Sequence, residues 1–592
     1  MLASAFFPRR RFARLILSFF LTFNTSQFTD SKGKVEMAQN ARFCDVCARL
    51  DLAVPATVVA LTDVLDDLSK AFARDHELRE QVGKQEPVVW EHLEELWNLT
   101  AYAHSRDTGD GNVLLSNLCL STAKFTRNLV AAVPHNQQQA FTSEPAIRTL
   151  IRYYTAYSIT QDENSLPITR MLIQALSNLI TSNPQLSSQL WSEYLKFSVE
   201  EFVLLRLLGV PDTPTVTATF VFILNCIHSN PQQIELLVRS KSGQRLCISL
   251  LDQIAQLFDV EEEESERSRA FHLGYTIFTH ILEAGLIPEL YQSISMDGEI
   301  VTPHQTILLK LVDSYLHTTR GEGMSRSDSI NICKMLLSLF DLMAEYCQTS
   351  IQRSVGNKAE QDPHSIAKET TSSNNESRVH EDAVCLKELD LLLPKVCEAM
   401  VLVVQSLTSL VLLHAEDPSN SLANQEMTLV QNYVCHAGFP EGKGEGLVEC
   451  LIDTLRLLDI FLPRIAFGKV APPPIVAGEK PNPAQYVPQS TPANDTSTQR
   501  SDPKGFLYLK RDLVRLLGTI SYKSRLIQDR VRACHGLQVI LNLCVIDERN
   551  PYLREHAIFA LRNLLNGNAE NQTLVNDIQP IREWDERGEL QR

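Results

Sequence analysis

The chain has 592 residues, 44% of them apolar, with 55 basic against 71 acidic side chains and a formal net charge of −16. A single core stops growing at roughly 250–300 residues, so the chain is either several domains or an elongated stack whose units bury their faces on one another. The acidic balance argues against nucleic acid as a partner, since counterion release needs basic side chains; the 23 glycines are few for sheets with tight turns, and the 13 scattered cysteines fit a reducing compartment rather than a disulfide framework.

Residues 1–36 stand apart. Arg9, Arg10, Arg11 and Arg14 precede an apolar run from Leu15 to Phe23, a basic segment followed by a short apolar core. That run is shorter than the roughly 20 residues a bilayer span needs, and no other stretch reads as a stable span. No paired cysteines follow, and Met37 opens ordinary helical sequence. The expectation is a mis-assigned start or a disordered leader over 1–36, with a targeting signal as the alternative.

From residue 37 onward the apolar spacing is helical. Arg170 to Ile180 places Met171, Leu172, Ala175, Leu176, Leu179 and Ile180 on one wide face. Leu386–Leu413, Leu447–Leu462 and Phe506–Ile520 repeat the pattern, and strand signals are nearly absent. A short unit recurs along the chain: Phe125-Thr126-Arg127-Asn128-Leu129, Ala175-Leu176-Ser177-Asn178-Leu179, Ile223-Leu224-Asn225-Cys226 and Ala560-Leu561-Arg562-Asn563-Leu564, with Leu517-Gly518-Thr519-Ile520 as a degenerate copy. Asn178 lies 50 residues after Asn128, Asn225 lies 47 after Asn178, and Asn563 lies 44 after Thr519. Asn136, Gln137, Gln233, Gln528 and Asn571 follow these units at eight or nine residues. Ser182-Asn183-Pro184-Gln185 and Ser229-Asn230-Pro231-Gln232 read as a cap followed by a first-turn proline. A period near 40–47 residues with two or three helices per unit is the armadillo/HEAT signature. The expected fold is an all-α, armadillo/HEAT-like helical repeat solenoid with two disordered inserts.

The inserts set the expected domain boundaries. Residues 354–382 and 471–504 are polar or proline-rich, without apolar periodicity. Armadillo-like repeats are expected over 37–353, further helical repeats over 383–470, and a C-terminal repeat pair over 505–592.

Motifs that carry chemistry are nearly absent. Cys44-Asp45-Val46-Cys47 is the only C-x-x-C, and it lacks the second pair of a zinc site or the preceding strand of a redox site; it reads as two cysteines in a helical turn. Gly442-Lys443-Gly444-Glu445-Gly446 lacks the G-K-[ST] ending of a phosphate loop. Cys534-His535 reads as a capping or packing pair. No enzyme activity, cofactor or metal is therefore expected. The recurrent asparagines admit two readings. Asn128, Asn178, Asn225 and Asn563 could clamp the backbone of an extended peptide in a concave groove; alternatively, each bonds within its own repeat and fixes the interhelical turn, the preferred reading here. The positions four residues before them, Lys124, Gln174, Val221 and Phe559, lack the tryptophan of importin-like receptors.

The stretch from Phe506 to about Pro580 closely resembles the C-terminal domain of the ataxin-10 family. The resemblance lies in Lys510-Arg511-Asp512-Leu513-Val514-Arg515-Leu516-Leu517-Gly518, Tyr522-Lys523, Gln528-Asp529, Gly536-Leu537, Asp547-Glu548-Arg549-Asn550-Pro551 and Arg554 through Leu564. The two inserts resemble those of fungal members. The resemblance implies a cytoplasmic, non-catalytic armadillo protein that binds other proteins and is linked to cytokinesis and cell division. A copper-transport name carried by yeast relatives finds no Met-rich tract or Cys/His cluster here. A transport adaptor, nuclear or membrane, is the alternative function. Tyr522, Arg525, Arg554 and Asn563 are the expected partner-binding surface. Self-association through an exposed end repeat is left open.

Overall fold

The computed structural model describes residues 32–86, 88–106, 113–258, 265–319, 324–359, 390–415, 446–466, 469–470, 506 and 508–577. The leader expected over 1–36 lies outside the described residues up to 31, and residues 32–36 join the first helix, Lys32–Ala48. The insert at 354–382 lies outside them beyond the helix Arg326–Ala359. The 471–504 linker and the glycine-rich stretch up to Glu445 also lie outside the described residues.

Helices make up nearly every described element; the exceptions are the two-residue strands Ile465–Ala466 and Lys469–Val470, paired antiparallel. The chain forms two compact units, Met1–Ile294 and Ser295–Arg592. Composition draws its first break at the 354–382 insert, whereas packing draws one at Ile294. The physical reason is that composition detects segments too polar to bury, while a unit boundary needs only sparse contacts.

In the first unit five helices lie side by side in chain order: α1 (Pro55–Arg74), α2 (Val113–Leu129), α3 (Ser165–Ile180), α4 (Thr213–Ile227) and α5 (Glu266–Glu283), each packed on the next. Two further helices intervene at three of the four steps, such as Pro184–Tyr194 and Val203–Leu208 between α3 and α4; the step from α2 to α3 adds the short helices Phe141–Ser143 and Tyr157–Thr160. This three-helix period is an armadillo-like repeat. The second unit has its own row: α6 (Pro303–Thr319), α7 (Leu393–Ala415), α8 (Leu509–Ile520) and α9 (Leu553–Leu565). The helices Arg525–Ala533 and Gly536–Leu543 lie between α8 and α9.

A spine helix touches neighbours on several sides, so its apolar stripe is wide. In α3, Ile168, Leu172, Ile173, Ala175, Leu176, Leu179 and Ile180 are all buried. Each large aliphatic side chain so buried contributes about 1.5–3 kcal/mol. α7 contains the one described helix long and apolar enough to cross a membrane, over Leu393–Leu412. No such stretch was expected from the sequence; most of it is buried here against α6, α8 and the helix Arg326–Ala359.

The helix starts follow the capping chemistry. The Asn183 side chain accepts from Leu186 N and that of Asn230 from Gln233 N, each with proline in the first turn. Asn550-Pro551 differs: the helix opens two residues later, at Leu553, behind a left-handed Tyr552. The helix ends share a device the sequence conceals. Four residues past each repeat-unit position the backbone turns left-handed, at Ala132 (φ 58°), Ser182 (58°), Ser229 (55°), Lys523 (55°) and Gly567 (69°). L-residues there carry a cost of roughly 1–2 kcal/mol that glycine avoids, offset in part by the larger entropy of the unfolded glycine chain. Ser182→Gly and Ser229→Gly are each expected to stabilise the first unit by about 0.5–1 kcal/mol. A urea midpoint that falls in both variants would contradict this.

Candidate protein-interaction surface

The recurrent asparagines join neighbouring repeats. Asn128 Nδ2 donates to Ser69 O and Ser69 Oγ of α1, both at 2.9 Å. Asn178 Nδ2 donates to Arg127 O of α2 at 2.9 Å. Asn225 Nδ2 donates to Ser177 Oγ and Thr181 Oγ1 of α3 and its cap, both at 2.9 Å. Asn563 Nδ2 donates to Gly518 O of α8 at 2.9 Å. Asn178, Asn225 and Asn563 thus reach the last turn of the preceding spine helix, at the residue just before that helix's own repeat position, whereas Asn128 reaches Ser69, five residues before the end of α1. Last turn meets last turn, so successive spine helices run parallel and in register. The reading in which each asparagine bonds within its own repeat is corrected: the donor NH2 crosses to the preceding repeat. It is also already engaged, which removes it as a free clamp for a peptide.

A second asparagine takes the within-repeat role, while the glutamines reach forward to the end of the next spine helix. Gln137 Nε2 donates to Asn178 O and Thr181 O, both at 2.8 Å. Gln528 Nε2 donates to Asn563 O at 2.9 Å and Asn566 O at 3.2 Å, the same two positions of α9. Asn136 Nδ2 reaches Leu129 O, and Asn571 Nδ2 reaches Leu564 O, both at 2.9 Å. The last carbonyls of a helix have no intrahelical partner. Here side chains from the same and the neighbouring repeats satisfy them, as buried backbone acceptors require.

The four expected surface residues do not converge. Tyr522 is exposed, with Lys523 Nζ 5.1 Å from its ring centroid. Arg525 is held by Asp529 at 3.1 Å and Glu570 at 3.4 Å, and donates to Gly567 O. Tyr522 and Arg525 lie just past the end of α8, whereas Arg554 is exposed on the first turn of α9. The parallel packing puts these at opposite ends of the helix pair. Asn563 is 4% exposed and is corrected from surface residue to inter-repeat stitch. Sequence reasoning passed over Ile558 and Phe559, which are 48% and 43% exposed on α9. The signal for Phe559 was its place four residues before Asn563.

The polar residues of the second unit are largely committed to packing. Arg511 bonds both carboxylate oxygens of Asp512, at 2.8 and 2.9 Å, and stacks on Tyr508. Asp512 also accepts from Gln405 of α7 at 2.7 Å. Burial, and secondarily the charge of Asp512, push the Asp313 carboxyl up to about 7, with Arg515 opposing. A carboxyl raised in the folded state gives stability that is fully present below about pH 4 and lost as pH rises through 7. Asp313→Asn should therefore stabilise the second unit at pH 8 by on the order of 1–2 kcal/mol and flatten its stability between pH 4 and 7. Denaturation curves with unchanged pH dependence in the variant would contradict this.

The C-x-x-C cysteines lie on the helix Lys32–Ala48; burial raises both thiols, Cys47 to about 12, which leaves little thiolate for chemistry. His535 sits left-handed (φ 55°) before the helix Gly536–Leu543, and the Cys534 thiol meets Glu449. Among the described residues no group of three His, Cys, Asp or Glu could hold a metal ion.

Residues 509–592 match the family described as the spinocerebellar ataxia type 10 protein domain. An ataxin-10 homolog of Dictyostelium discoideum is 46% identical over 79 residues, 13% of this chain and 12% of that protein. One of Kluyveromyces lactis is 39% identical over 80 residues, 14% of this chain and 15% of that protein. The matched stretches thus span less than a sixth of the length of these relatives. A solved structure concerning the interaction between cadherin and beta-catenin aligns over 91% of this chain and 77% of its own, at 13% identity and a TM-score of 0.31.

Proposed function

We propose that this chain, which belongs to the ataxin-10 family through its C-terminal domain, is a non-catalytic protein-interaction scaffold of the cytoplasm, acting in cytokinesis and cell division. The observation that carries the reading is the row of spine helices within each unit. Consecutive helices are stitched at their ends by Asn128, Asn178 and Asn225 in one unit and by Asn563 in the other. A solenoid held in register this way presents an extended, fixed face, which suits partner segments better than it suits a closed catalytic pocket. The role in cell division comes from the family, and residues 509–592 are where that likeness is concentrated.

The test is affinity purification of the full chain from dividing cells, beside a form lacking residues 506–592. Septum or contractile-ring components captured only by the full chain are the expected result. Capture of nuclear-pore or transport factors instead would overturn the cytokinesis role in favour of a transport adaptor.

A further inference from the structure

The spine helices of the second unit bring together charged groups that lie far apart in sequence. Asp313, on α6, lies within the field of Asp512 and Arg515 of α8, although α7 stands between these helices in the row. Gln405 of α7 donates to Asp512, and His556 of α9 lies within the field of Arg515 and Arg511. One face of the row therefore closes inward on these groups. Their charges do not cancel. The Asp512 carboxylate is 1% exposed, and its oxygens are spent on Arg511 and Gln405. Arg515 is half-buried and has no ion-pair partner among the described residues, in contrast to Arg511, which is closed on Asp512. Glu398 of α7 is paired with Lys310 of α6 at 2.8 Å, and Glu555 is exposed on α9. Two guanidinium groups thus face one spent carboxylate and the half-protonated Asp313, a cationic island in a chain of net charge −16. Aromatic rings frame the island. Tyr508 holds the Arg511 guanidinium 4.2 Å from its ring centroid. The period of 44 residues carries Arg515 onto Phe559 of α9, which is 43% exposed and lies over Gly518 of α8.

We propose that Arg515, with Arg511 and the Phe559 ring beside it, is the docking point for an extended acidic segment of a partner protein. A Glu or Asp side chain of the segment pairs with the Arg515 guanidinium, and a neighbouring apolar residue packs on Phe559. The inference rests on the scaffold reading and names the chemistry of what the scaffold holds. Charge complementarity argues for this occupant. Two arginines suit a short run of carboxylates, whereas nucleic acid needs an extended basic surface and meets the net −16 of the chain. Binding is coupled to a proton. Burial, and then Asp512, raise the Asp313 carboxyl to about 7, with Arg515 opposing. A carboxylate held at Arg515 weakens that opposition and repels the charged form of Asp313. Binding therefore favours protonated Asp313 and tightens as pH falls from 8 to 6. His556 adds little over this window, because burial and the two arginines hold it below the usual histidine range, against Asp512 and Glu555.

The test titrates the full chain into a fluorescein-labelled peptide, Glu-Asp-Glu-Phe-Glu-Asp-Glu, and follows fluorescence anisotropy. The peptide is expected to bind saturably and to be released by salt. Arg515→Glu weakens binding about tenfold or more, since it sets like charges together. Asp313→Asn acts in the opposite direction. At pH 8 it binds the peptide about three- to tenfold more tightly than the unaltered chain, and at pH 6 the two agree. Arg353→Glu, exposed on the helix Arg326–Ala359 outside the row, leaves binding unchanged. Helical circular dichroism checks that each variant is folded. No binding by the unaltered chain, or equal binding by Arg515→Glu, would overturn the inference. So would an Asp313→Asn variant that binds no more tightly than the unaltered chain at pH 8. A chain that captures partners from dividing cells but does not take the peptide would remove this site and leave the scaffold reading intact.

Discussion

Replacing Asp459 by Asn is expected to destabilise the second unit by about 3–5 kcal/mol at pH 7, the typical cost of stripping the partner from a buried charge. Lys510, on α8, is 1% exposed. Its Nζ bonds Asp459 Oδ1 at 3.1 Å and Leu462 O at 2.8 Å. Burial holds its ammonium below the usual lysine range, and Asp459 opposes that shift. The pair ties the first turn of α8 to the helix Leu447–Phe461, and so ties the family domain to the repeat before it. With Asn at 459 the ammonium keeps the Leu462 carbonyl and an amide oxygen as acceptors but loses its nearest counter-charge. Lys510→Met should be far milder, because it removes the desolvated charge together with its need for a partner and leaves only Leu462 O to find water. The pH sign distinguishes this from a packing defect. A lysine whose folded value is lowered binds fewer protons folded than unfolded, so stability rises with pH between the two values. The deficit of Asp459→Asn should therefore shrink as pH approaches 10. A deficit that is constant with pH, or a Lys510→Met variant as unstable as Asp459→Asn, would show that the pair does not act in this way.

The repeat architecture was legible because it is written in spacing. Asn128, Asn178, Asn225 and Asn563 mark the ends of α2, α3, α4 and α9, and Thr519 marks the end of α8. The Asn-Pro capping pairs at 183 and 230 were equally legible, since a cap acts on its own helix. What each asparagine bonds to was not legible. The partner of Asn563 lies 45 residues away in sequence, and a periodic pattern looks the same whether its members bond inward or across. The left-handed residues escaped for another reason. Ala132, Ser182, Ser229 and Lys523 are not glycine, so composition gives no sign of the strain that the turn imposes. The chosen surface residues were taken from a conspicuous stretch of sequence, and the parallel packing of α8 and α9 separates Tyr522 and Arg525 from Arg554. Exposure of Ile558 and Phe559 depends on α9 being the last described spine helix, a property of the stack rather than of any residue.

Removing the amide of Asn563 should cost about 2–3 kcal/mol, more than at any other rung of the ladder. Its side chain is 4% exposed and donates to Gly518 O. That carbonyl lies in the last turn of α8. The amides that follow it are committed elsewhere: Ser521 N to Leu517 O, and Tyr522 N to Thr519 O. Asn563→Ala thus leaves a buried acceptor without its donor and opens a small cavity, each worth about 1 kcal/mol or more. Asn563→Leu restores volume but no donor, so it should recover little. At the half-buried rungs water can replace the lost NH2, and Asn128→Ala should cost about 1 kcal/mol or less. The gradient separates two origins of a repeated residue. If the asparagines served a ligand groove, the substitutions would weaken binding and leave the urea midpoints alone. If they cap the preceding helix, the cost should follow burial, and Asn563 should dominate. Equal midpoint shifts in Asn563→Ala and Asn128→Ala would contradict the capping account, because the Asn563 side chain is buried and that of Asn128 only half-buried.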